Sequence, residues 1–270
     1  MTKAWAPVFG DLDVHVPKPR ATGVTMILDK YLGPSEVADR LCLMGDYIDH
    51  WKLTFGTSTL LDDDVLREKI ATVRAHDILV YPGGTLAEVA MARGVGRDYM
   101  RHTHQLGFNG IEISDGTMRL SSAARHDAIQ YALDLGLTVV AEVGKKDRTQ
   151  QQPPEKLAEQ ALADLESGAA WVIIEAREAG RGIGVFAEDG AVRGDDVDAM
   201  TSLLGDHVER VIWEAPLSRQ HEFFILRLGP NVCLGNITPL DVLAVEAMRV
   251  GLRYETFRCE VGEIEEGTFR

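Results

Sequence analysis

Lysines and carboxylates recur together along this chain where short apolar runs end. Asp29-Lys30, Lys52, Glu112 with Ser114 and Asp115, Glu142 with Lys145-Lys146, Glu175 with Arg177, Glu214 and Asn236 all occupy such positions. Arginine is the preferred cation of this protein, yet four of its eight lysines, Lys30, Lys52, Lys145 and Lys146, fall there. A lysine ammonium is a point charge for anions, and its pKa moves readily on desolvation, which suits proton transfer. Carboxylate oxygens suit a hard cation such as Mg²⁺, which uses one or two protein carboxylates and completes its shell with water and substrate. The pattern therefore points to a small anionic substrate, a proton transfer and an oxygen-ligated metal. The competing reading is a salt-bridge network with solvated loop lysines.

The elements that must carry these residues alternate. From Thr22 onward, β-branched apolar runs are followed by stretches of helical periodicity, about eight times over. Strands are predicted at Val24–Leu28, Tyr47–Leu53, Ile78–Tyr81, Gly110–Ile113, Thr138–Ala141, Trp171–Ile174, Val211–Trp213 and Val232–Leu234. Helices are predicted between and after them, the last over Pro239–Gly251, with Thr238-Pro239 and Asp241 forming its N-terminal signal. Eight βα units predict an α/β protein of the (β/α)8 TIM barrel type, in which chemistry sits where strands run into the following loops. A doubly wound open sheet is the alternative. The expected organisation is an N-terminal extension over residues 1–21, one barrel domain over 22–258 and an acidic tail over 259–270.

Composition limits the function. The 270 residues carry 28 Lys and Arg against 42 Asp and Glu, a net charge of −14. A surface this acidic repels phosphate backbones and anionic headgroups, so neither nucleic acid nor a membrane is an expected partner. No signal-peptide core or membrane-spanning run is present, and the three cysteines have no paired spacing, so a cytoplasmic location is expected. The eight histidines show no metal or triad spacing, and no Walker motif or nucleophile elbow occurs. Gly180-x-Gly182-x-Gly184 lacks the helix that a dinucleotide fingerprint needs, and reads as a mobile loop closing over substrate.

Longer motifs carry a resemblance. Ile27-Leu28-Asp29-Lys30, Val80-Tyr81-Pro82-Gly83-Gly84-Thr85, Glu112-Ile113-Ser114-Asp115-Gly116, Glu142-Val143-Gly144-Lys145-Lys146, Ile174-Glu175-Ala176-Arg177-Glu178 and Glu214-Ala215-Pro216 stand in one order. Together they resemble the phosphosulfolactate synthase family, the coenzyme M biosynthesis enzymes that add sulfite to phosphoenolpyruvate. The resemblance spans about Thr22 to Phe257 and implies a (β/α)8 barrel, an Mg²⁺ requirement and a homo-oligomer, a trimer being expected. It implies Lys146 as the acid that protonates an enediolate, with Lys145 its nearest competitor and Glu142 beside them. Lys30, Lys52, Arg177, Arg181, Ser114 and Asn236 are the implied substrate contacts; Asp29, Glu112, Glu175 and Glu214 are the candidate metal ligands. The chain departs from the family pattern at Thr54-Phe55, Leu217–His221 and Cys233–Gly235. These departures keep open a divergent member with another nucleophile. A non-catalytic relative like the plant heat-stress-associated proteins would show a degraded strand-end cluster.

Overall fold

The computed structural model describes residues 3–10, 12 and 14–257. Eight strands alternate with helices: β1 (Thr25–Asp29), β2 (His50–Leu53), β3 (Leu79–Pro82), β4 (Gly110–Ser114), β5 (Thr138–Val143), β6 (Trp171–Ile174), β7 (Val211–Glu214) and β8 (Cys233–Ile237). They form one parallel sheet in the order β3-β2-β1-β8-β7-β6-β5-β4, so β1 pairs with both β2 and β8. The sheet ends, β3 and β4, meet. There the Asn109 side chain accepts from Val80 N at 2.7 Å and donates to Ile78 O at 3.2 Å, satisfying backbone groups across the seam. This closes a (β/α)8 barrel and removes the open-sheet alternative.

Alternation within the strands separates two cores. Outward residues such as Trp51, Ile111, Val139 and Trp213 pack against the helices. Inward residues, Met26, Tyr81, Val140, Ile173, Ile212 and Cys233, fill the barrel interior, with His50 stacked edge-on to Trp171 below them.

Several predicted boundaries change, the fifth strand for one running on to Val143. The second strand starts at His50, because Gly45–Tyr47 form a 3-10 turn. The eighth runs on through Asn236 to Ile237. The last long helix begins at Val242, since Asp241 N bonds back to Thr238 O in a turn that leaves Pro239 ahead of the helix. Among the described residues no helix is long and apolar enough to cross a membrane. The acidic tail expected over 259–270, with Cys259, lies outside the described residues.

Candidate active site

Two residues beyond an inward-facing position, the next inward side chain on the same strand stands at the barrel mouth. That step leads from His50 to Lys52, from Gly110 to Glu112, from Val140 to Glu142, from Ile173 to Glu175 and from Ile212 to Glu214. All five mouth residues line one cavity of about 240 Å³, joined by Lys146, Arg177 and Asn236. Lys52 Nζ lies 2.7 Å from Glu112, 3.1 Å from Glu142 and 3.4 Å from Glu214. Lys146 Nζ lies 2.9 Å from Glu142 and 3.0 Å from Glu175, with Glu88 at 3.8 Å. Glu142 is thus the carboxylate shared by both lysines.

Backbone geometry supports the cluster. Gly84 N donates to Glu112 Oε1 at 2.6 Å, and any Cβ on Gly84 would come within 2.6 Å of that same oxygen, so only glycine fits. Ala176 N donates to Glu214 and Arg177 N to Glu175. Phe55, Arg177 and Asn236, all on the cavity wall, have φ of 57°, 58° and 55°. Non-glycine residues in this left-handed region cost about 1–3 kcal/mol each and concentrate at functional sites.

The electrostatics divide the four glutamates. Burial pushes the Glu112 carboxyl up to about 8 against the pull of Lys52, and burial with neighbouring Glu142 pushes Glu175 up. Burial likewise raises Glu214. Glu142 is also buried, but Lys146 and Lys52 hold it well below the ordinary carboxylate range. Burial disfavours the Lys146 ammonium, yet Glu142 and Glu175 outweigh it and raise its pKa. Lys52 is raised in the same way by Glu112, Glu142 and Glu214. Lys146 is therefore a one-quarter-exposed ammonium at the cavity edge, and a substrate that draws off its carboxylate partners would make it the stronger acid.

Several predicted site residues lie outside this cavity or turn away from it. Lys145 turns away from the cavity, its ammonium spent on Asp115 Oδ2 at 2.7 Å, Asp115 O at 2.5 Å and Met118 O at 2.9 Å. Asp29 leaves the metal candidates, because Trp51 Nε1, Lys69 Nζ and the Tyr31 and Leu32 amides occupy its carboxylate. Ser114 is buried and donates to Glu88 at 2.7 Å instead of facing substrate. Lys30 pairs with Glu178 at the rim, and Arg181 is exposed on the loop after β6 without lining the cavity. That loop, expected to be mobile, is tied down: Gln220 Nε2 donates to Gly180 O and Gly190 O, and Gly184 N donates to Gln151.

One organising residue escaped the sequence reading. Glu88, on the helix Gly84–Ala92, is buried and accepts from Ser114 Oγ and from the amides of Gly116, Thr117 and Met118. Gly116 O in turn accepts from Lys146 N at 2.9 Å, so Glu88 shapes the loop that carries Lys146. Its signal was an acid on a buried helix face beside Ala87 and Ala90.

The donor set fits a hard cation. Asn236 Oδ1 is buried without a hydrogen-bond partner, while Glu112 Oε2 meets Lys52 Nζ at 2.7 Å and Glu175 Oε2 meets Lys146 Nζ at 3.0 Å. Among the described residues no three acidic, His or Cys side chains group to enclose a metal. One or two protein oxygens with the remainder from substrate and water is the usual Mg²⁺ arrangement. Glu112, Glu175 and Glu214 each turn one oxygen to a lysine ammonium and the other to a backbone amide, so a cation held here would share those oxygens with Lys52 and Lys146.

Known proteins share this chain's sequence and fold. A crystal structure of the YdjI aldolase from Escherichia coli K12 superposes with a TM-score of 0.55 at 10% identity, over 86% of this chain and 80% of that one, a likeness of fold alone. The phosphosulfolactate synthase of Methanothermobacter thermautotrophicus is 41% identical over 241 residues, 88% of this chain and 93% of its own length. That of Methanocaldococcus jannaschii is 42% identical over 237 residues, 87% and 94% of the two chains. The family model described as (2R)-phospho-3-sulfolactate synthase (ComA) matches residues 14–255, a span that holds all eight strands and every mouth residue described above. With that coverage and identity, the chain belongs to the phosphosulfolactate synthase family of enzymes.

Proposed function

We propose that this protein adds sulfite to phosphoenolpyruvate to give (2R)-phospho-3-sulfolactate. The observation that carries the reading is Lys146, protonated between Glu142 and Glu175 at the edge of a cavity sized for a small substrate. The sulfur lone pair of sulfite forms a bond to the methylene carbon, and the C=C π pair moves onto the carbon bearing phosphate and into the carboxylate. Lys146 delivers its proton to that carbon, the phosphate ester stays intact, and solvent returns a proton to the amine. Glu142 holds the Lys146 ammonium in place, while Lys52 beneath it presents fixed positive charge to the enediolate. Glu112 and Glu175 would hold Mg²⁺, which would supply further positive charge against the substrate carboxylate. A homotrimer in the cytoplasm belongs to the same reading.

Incubating the purified protein with Mg²⁺, sulfite and phosphoenolpyruvate should yield a product with the mass of phosphosulfolactate. Its absence from a folded preparation that binds phosphoenolpyruvate would overturn the reading. A second reading, another nucleophile on the same enol, is favoured by one observation: Thr54 and Phe55, which depart from the family pattern, line the cavity. It would show as consumption of phosphoenolpyruvate with a different nucleophile but not with sulfite.

A further inference from the structure

A second cavity of about 240 Å³ adjoins the first, and the two share Leu28, Glu178 and Asn236 as a common wall. Their charge differs. The first is lined by Glu112, Glu142, Glu175, Glu178 and Glu214 against only Lys52, Lys146 and Arg177. The second holds Lys30 and Arg40 against Glu178 alone. Arg40, on the helix Pro34–Met44, has its Nε buried with no hydrogen-bond partner, a donor awaiting an acceptor. Asn236, almost fully buried, stands in the shared wall with Oδ1 also unpartnered.

We propose that the second cavity is a phosphoryl subsite, in which Arg40 and Lys30 bind the phosphate ester of the substrate while its carbon skeleton extends past Asn236 toward Lys146. The inference rests on the function proposed above and adds to it a location for the phosphate. A dianionic group in the first cavity would face five glutamate side chains whose oxygens compete with it for Lys52 and Lys146. In the second cavity it meets two cations, one of them a planar guanidinium whose fork matches phosphate oxygens. The Lys30–Glu178 pair crosses the rim, partly exposed on both sides, and an incoming phosphoryl group competes with Glu178 for the ammonium. The ester oxygen links phosphorus to the carbon that receives the proton, so a phosphate held here brings that carbon to the wall between the cavities.

Inorganic phosphate is the probe. Calorimetry should show it binding to the wild-type protein, with Arg40→Leu weakening it about tenfold to a hundredfold and Arg40→Lys by less. Lys156→Gln, which removes an exposed charge paired with Glu159, should leave phosphate affinity unchanged. In turnover, Arg40→Leu should raise KM for phosphoenolpyruvate and leave KM for sulfite unaltered. Should Arg40→Leu fold poorly by circular dichroism, Lys30→Gln at the rim tests the same subsite with the same expected direction. No phosphate binding by the wild type, or equal affinity in the wild type and in the folded Arg40 and Lys30 variants, overturns the subsite. Weakened phosphate binding in a protein that makes no sulfonated product supports the subsite and overturns the sulfite reading instead.

Discussion

The two ends of the barrel both bury charge, but they treat it differently. At the end opposite the mouth, Lys18 Nζ donates to three backbone carbonyls, those of Gly45, Ile48 and His76, at 3.1, 2.7 and 3.1 Å. His15 bridges Gly23 O and Glu246, and Arg20 pairs with Asp49. The cavity there is the larger, about 540 Å³, with Trp5, Phe9 and Leu243 among its lining. The polar groups along its wall, His15, Lys18, Arg20 and Glu246, are nevertheless matched by these partners. Burial pushes the Lys18 pKa down, whereas carboxylates push that of Lys146 up. At the mouth four buried glutamates share two lysines, so carboxyl groups outnumber the ammoniums that face them two to one. Cavity volume would have selected the wrong end. Crowded buried charge points to the mouth, because a fold retains such a cluster only where something else offsets its desolvation.

The contrast can be broken most directly at the two lysines. Lys146→Ala should lower kcat about a thousandfold with a much smaller change in KM for phosphoenolpyruvate, and Lys146→Arg should not restore it, since the longer planar guanidinium cannot set an N–H where the ammonium stands. An arginine variant with near-normal kcat would remove Lys146 as the acid. At the other end, Lys18→Met leaves three carbonyls without their donor. It should cost about 1–3 kcal/mol in urea unfolding while kcat per folded molecule stays unchanged. Any selective loss of kcat there would mean that the ends are not functionally separate.

A smaller effect lies in the pH dependence of stability, measured as urea midpoints in Mg²⁺-free buffer. Burial raises Glu112 to about 8, so its contribution is present below its ordinary pKa and is lost as pH rises through about 8. Glu112→Gln should flatten that alkaline limb. Burial lowers His50, at the far end of the barrel interior, to about 4; its contribution is present above its ordinary pKa and is lost as pH falls through about 4. His50→Leu should flatten the acid limb only. Wild type and Glu112→Gln running parallel from pH 5 to 9 would contradict the buried, raised carboxyl.

Much of the mouth was legible in sequence because strand alternation is strict. Once the runs are read as strands, Lys52, Glu112, Glu142 and Glu214 must share the inward face, with Glu175 one residue past its strand. What failed was any choice between residues that alternation does not constrain. Lys145 and Lys146 are neighbours of one chemistry; Asp115 and Met118, about thirty residues earlier, capture the first and leave the second in the cavity. Asp29 looks like its glutamate counterparts until Trp51 and Lys69 arrive from later elements to occupy it. Glu88 and Arg40 stand on helices, where a charged residue in sequence reads as a solvated face.

By itself, then, the sequence determined the barrel, the mouth as the place of chemistry and the lysine–glutamate composition of that mouth, because these follow from local periodicity and residue type. Only the tertiary structure decided which charged groups are spent and which remain available. Hydrogen bonding saturates at distances near 3 Å, and the partners that saturate each group come from segments the sequence keeps far apart.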